Sequence, residues 1–77
     1  MADLAELEGM IAAALPGAEV SVIDETGNGD HLRATVTASQ FEGLSRIDQH
    51  RLVKAAVKAR FADGTIHALS VKTEVGS

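Results

Sequence analysis

With no cysteine among its 77 residues, this chain has neither a disulfide staple nor the thiolates of a structural zinc site, so it must fold around an apolar core alone. A chain of this length is expected to make one domain, residues 1–77, and to bury only about 60% of the surface that its unfolded form exposes. The stability margin is therefore thin, and a partner that binds only the folded form adds to it by mass action. Hydrophobic residues at 45% and charged residues at 23% suit one globular core and exclude a disordered chain.

No apolar run approaches the roughly 20 residues that cross a bilayer, and Met1-Ala2-Asp3 lacks the basic start of a signal peptide. The cytoplasm is the expected compartment, with no membrane partner. The net charge of −4 is unevenly placed: residues 1–45 carry eight acids and one base, Arg33, whereas residues 46–77 carry six bases and three acids. The basic half points to an acidic or phosphate-bearing partner.

Leu4, Leu7, Ile11, Ala14 and Leu15 recur at helical spacing, Asp3 and Glu6 are set out as a capping box, and Pro16-Gly17 supplies a stop. Ala18 to Ile23 is rich in β-branched residues, and Leu32, Ala34, Val36 and Ala38 alternate with Arg33, Thr35 and Thr37. Between these two strands, Asp24 to Asp30 holds a Gly-Asn-Gly core that can take the positive φ angles of a hairpin. Ser45 can cap a second helix running to about Phe61, with Leu52, Val53, Ala56 and Val57 as its apolar stripe and Arg51, Lys54 and Lys58 on a largely opposite face. Asp63-Gly64 ends it, and Ile66 to Thr73 reads as a third strand.

The order is α-β-β-α-β. A helical crossover between the second and third strands predicts their parallel pairing, giving a three-stranded mixed sheet with both helices on one face, an α+β two-layer sandwich.

Several motifs fail on inspection. Asp24 to Gly29 begins like a calcium-binding loop, but Thr35 stands where the bidentate glutamate belongs and strands flank it. Gly27-x-Gly29 lacks the third glycine of a dinucleotide fingerprint, Leu32 holding that place. The element order invites comparison with KH-type modules, class II among them, yet no Gly-x-x-Gly clamp is present and only Phe41 and Phe61 can stack on bases. Ser45 reads as a cap and Ser70 as a sheet residue, so no catalytic group stands out and no enzymatic activity is expected.

His31, His50 and His67 remain. His31 opens the second strand and His67 lies near the start of the third, so parallel neighbours place both at one end of the sheet, beside the 24–30 loop. Strands about 4.8 Å apart let two imidazoles converge if their side chains point compatibly. His67 also shares alternation parity with Leu69 and Val71, which leaves a half-buried packing role open. His50 is expected to pack or cap the second helix.

Gly29-Asp30-His31-Leu32, Phe41-Glu42-Gly43-Leu44-Ser45-Arg46, His50-Arg51-Leu52-Val53 and Ile66-His67-Ala68-Leu69-Ser70-Val71-Lys72-Thr73, in this order and spacing, resemble the BolA family. The resemblance implies a BolA-like, class II KH-like α-β-β-α-β fold. It also implies a monothiol glutaredoxin partner with which the chain shares a glutathione-ligated 2Fe-2S cluster, and it matches His67 to the family's principal cluster ligand. That division suits a chain without thiolates, since two histidines can replace two cysteines on one iron of such a cluster. Family members often carry a second Cys or His ligand in the loop between the first two strands. Residues 24–30 contain neither, so His31 is the nearest substitute and Asp30 a weaker one.

The expected role is therefore an adaptor in iron-sulfur cluster trafficking or iron and redox regulation, a monomer or weak homodimer when alone. The family's links to transcription and stress-related morphology make a DNA-binding regulator the alternative, with weak, salt-sensitive binding at most. A third possibility is a metal-free complex in which the chain regulates a glutaredoxin.

Overall fold

The computed structural model describes residues 3–27 and 31–76. Asp3 opens helix α1 (Leu4–Ala14) by accepting hydrogen bonds from the backbone N–H groups of Ala5 at 3.0 Å and Glu6 at 3.2 Å. The reciprocal half of the capping box is replaced by a tertiary contact, because the Glu6 carboxylate lies 2.9 Å from Nε of Arg60. Leu7, Ile11 and Leu15 form one buried stripe, and Gly17 at φ +83° turns the chain where a side chain would be strained.

Strands β1 (Glu19–Asp24) and β2 (His31–Ala38) pair antiparallel, from Glu19 opposite Thr37 to Asp24 opposite Leu32. The Asp24 carboxylate starts the turn by accepting from the N–H groups of Thr26 and Gly27, the latter at φ +78°. Asn28, Gly29 and Asp30, the rest of the expected hairpin loop, lie outside the described residues. Helix α2 (Arg46–Ala56) and strand β3 (Ala68–Val75) complete the layers. β3 lies parallel to β2, from His31 opposite Ala68 to Ala38 opposite Val75, and the sheet order is β1-β2-β3.

Alternation sends Val22, Leu32, Ala34, Val36 and Ala38 inward, where they meet Leu7 and Ile11 of α1 and Val53 of α2. No polar or charged residue is buried among the described residues, so the interior is an apolar seam between one sheet face and the helices. The other sheet face is open. The α+β mixed-sheet sandwich expected from the pattern is the fold observed.

Three local features depart from the sequence reading. A 3-10 turn (Ser39–Phe41) follows β2 and drives Phe41 into the core at 0% exposure. The second helix is not continuous to Phe61: it tightens at Val57 (φ −112°, ψ 16°) and resumes as α3 (Lys58–Ala62). Val57 is fully buried, and Arg60 and Glu6 tie α3 to α1, so tertiary packing overrides the helical pattern there. The third strand begins at Ala68 rather than Ile66, because Ile66 is a core plug whose N–H donates to the carbonyl of Arg60.

Candidate functional site

His67 owes its position to the turn between α3 and β3. Gly64 at φ +81° reverses the chain, Asp63 accepts from the N–H of Thr65 at 2.9 Å, and Ile66 anchors the segment in the core. Hydrogen bonds from the Thr65 side chain and backbone, helped by the Arg60 guanidinium, hold the Asp63 carboxyl below the usual carboxylate range. With both neighbours of the turn fixed, the next residue, His67, is left exposed just before the sheet begins.

A groove of about 700 Å³ runs along this corner. Arg51, Lys54 and Ala55 of α2 and Lys58 and Phe61 of α3 form one side, with His67, Ala68 and Leu69 on the other. Three cations and one imidazole thus face a shared space in which no carboxylate takes part. Arg51 is 3.6 Å from Asp48, whereas Lys54 and Lys58 enter no ion pair among the described residues.

His31 lies at the same end of the sheet, paired in register with Ala68, the residue after His67. Its parity is that of exposed Arg33, opposite to Leu32 at 1% exposure, so it belongs to the open sheet face rather than the helix side. His31 does not line the groove. Among the described residues, no group of three or more His, Cys, Asp or Glu side chains is placed to hold a metal ion, and Asp30 lies outside them. His50 is half-buried in α2, Ser45 caps that helix by accepting from the N–H of Asp48, and Ser70 is exposed on β3.

The groove's basic wall was visible only as a helix face in the sequence. Residues 51, 54, 55 and 58 have the spacing of one helical stripe, but nothing in that spacing says that β3 will lie beside it.

A family model described as BolA-like protein matches residues 11–76. The chain belongs to the BolA-like family. Among relatives of this BolA-like chain, the Rickettsia prowazekii protein RP812 is 35% identical over 68 residues, covering 88% of this chain and 87% of that one. Bovine BolA-like protein 1 is 46% identical over 46 residues, which cover 60% of this chain and only 33% of the bovine protein. The solved structure of a BolA protein homologue from Coxiella burnetii superposes with a TM-score of 0.79 at 32% identity, covering 97% of this chain and 92% of that one.

Proposed function

We propose that this BolA-like chain is an adaptor that docks on a monothiol glutaredoxin and shares with it a 2Fe-2S cluster, the cargo of the complex. The observation that carries this reading is His67: an imidazole kept out of the core, exposed beside the groove, at the position that matches the family's ligand histidine. An imidazole serving only to pack the core would be buried. The chain has no thiolate, so the glutaredoxin cysteine and glutathione supply sulfur to one iron while His67 supplies nitrogen to the other. His31, the first residue of the central strand and on the open face at the same sheet end, is the candidate for the second ligand, and its role requires the imidazole to turn past the end of the sheet.

The test mixes the purified chain with cluster-loaded monothiol glutaredoxin and glutathione and follows visible absorption and circular dichroism. His67→Ala should abolish the spectral change that marks transfer into the mixed complex while leaving the fold intact. His31→Ala should give a labile or altered cluster, and His50→Ala should leave coordination unchanged. An unchanged cluster spectrum and affinity in folded His67→Ala refutes the assignment. The chain alone should retain no cluster, and stable reconstitution without glutaredoxin or added thiol would count against the shared site.

DNA binding is the second reading, and the three cations at the groove are the observation in its favour. Neutralising about three phosphates supports only weak, salt-sensitive affinity. Tight sequence-specific binding near physiological salt would reverse the ranking.

A further inference from the structure

The groove beside His67 carries a charge that its surroundings do not balance. Of the seven lysines and arginines, four are tied to carboxylates: Arg33 to Glu25, Arg51 to Asp48, Arg60 to Glu6 and Asp63, and Lys72 to Glu74. Arg46, Lys54 and Lys58 have no such partner among the described residues, and two of these three line the groove. Positions three and four residues to either side of Lys54 and of Lys58 hold no acid, so no helical pair neutralises them. Instead Lys54 and Lys58 stand four residues apart with like charge, in a chain whose net charge is −4. Asp48 pairs with Arg51 but no acid lines the groove, and Lys54 and Lys58 leave this corner positive.

Its other property is apolar. Ala55, Phe61 and Leu69 share the lining with the cations, and Phe61 and Leu69 are only half-buried. On the same outward face of α2, one turn before Arg51, Ile47 is 66% exposed. A phosphate backbone uses only the cations, and with Phe41 buried in the core Phe61 is the one phenyl ring left at the groove to stack on a base. An acidic peptide uses both properties, placing carboxylates on the lysines and an apolar side chain on Phe61 and Leu69.

We infer that this groove receives an acidic segment of a partner protein, with Lys54 and Lys58 as its charge contacts and Phe61 and Leu69 as its apolar seat. The inference deepens the adaptor reading and rests on it in one respect, that the docked partner is the cluster carrier. It names where the partner's chain lies next to His67.

The probe is a fluorescein-labelled peptide that alternates glutamate with leucine, titrated against the metal-free protein. The controls are the same peptide with glutamine for glutamate and a single-stranded oligonucleotide of equal net charge. Amide shifts confined to the α2–α3 side and the His67 to Leu69 segment are expected, with affinity falling as salt rises from low to physiological strength. Lys54→Glu/Lys58→Glu should weaken peptide binding about tenfold or more, since each reversal replaces an attraction with a repulsion. Lys72→Glu, on the open sheet face, should leave it unchanged.

Equal binding of the glutamine peptide, tighter binding of the oligonucleotide, or an unaltered double variant that circular dichroism shows to be folded overturns the inference. The two proposals fail separately. Loss of peptide binding in the lysine variant with an unchanged cluster spectrum in His67→Ala sinks only the cluster reading. The reverse pattern sinks only the groove.

Discussion

Gln49 offers a stringent test of how α2 is held against the sheet. Its Nε2 donates to the carbonyl of Leu44 at 2.9 Å and more weakly to that of Phe41 at 3.4 Å, while its Oε1 accepts from the Thr73 hydroxyl at 2.6 Å. One half-buried amide therefore ties the start of α2, the 3-10 turn and β3 together. Replacing Gln49 by Leu removes all three bonds and leaves the half-buried Thr73 hydroxyl without this partner. The short bond contributes about 1 kcal/mol and its stranded half-buried partner costs about 1 kcal/mol more, while the carbonyl bonds, one exposed and one long, add less, so at least about 2 kcal/mol is expected. For a domain of this size that is roughly a 10 °C fall in Tm.

Thr73→Val alone strands the Gln49 carbonyl oxygen and should cost about 1–2 kcal/mol. Once Gln49 is Leu, the hydroxyl has nothing to lose, and adding Thr73→Val should be neutral or slightly stabilising. The double variant should thus be more stable than the summed singles by about 1–2 kcal/mol. Without tryptophan or tyrosine, the assay is urea denaturation followed by far-UV circular dichroism. Costs that add within about 0.5 kcal/mol would show that the short bond contributes nothing to stability.

Phe41→Ala empties a fully buried ring position and should cost about 3–5 kcal/mol, a large part of the roughly 4–12 kcal/mol expected of a domain this long. Its circular dichroism melt should be broad and low or absent; a shift under about 1 kcal/mol would mean that the 3-10 turn does not seat the ring in the core. Asp63→Asn tests the turn before His67. Because folding lowers the Asp63 pKa, its stabilisation is present above the unfolded value of about 3.9 and is lost as pH falls through the lower folded value. The variant should melt below the parent at neutral pH and converge with it in acid, so a Tm difference that stays constant across a pH series contradicts the ionic account.

The sequence by itself determined the element order, because helical and strand periodicities, the Asp3 and Ser45 caps and the Gly17 and Gly64 stops are local signals that need no tertiary partner. It determined the parallel pairing of β2 and β3 as well, since a helical crossover permits little else, and it offered His67 and His31 as candidate ligands. Only the tertiary structure decided the break at Val57, the plug at Ile66 and the diversion of Glu6 from its cap to Arg60, each fixed by a contact with an element far along the chain. It also decided the faces: residue alternation puts His31 on the open side, while the α3–β3 turn sets His67 on the helix side with Lys54 and Lys58. A one-dimensional pattern fixes which residues share an element's face, but which two faces meet depends on how the whole core closes, and the groove exists only where they do.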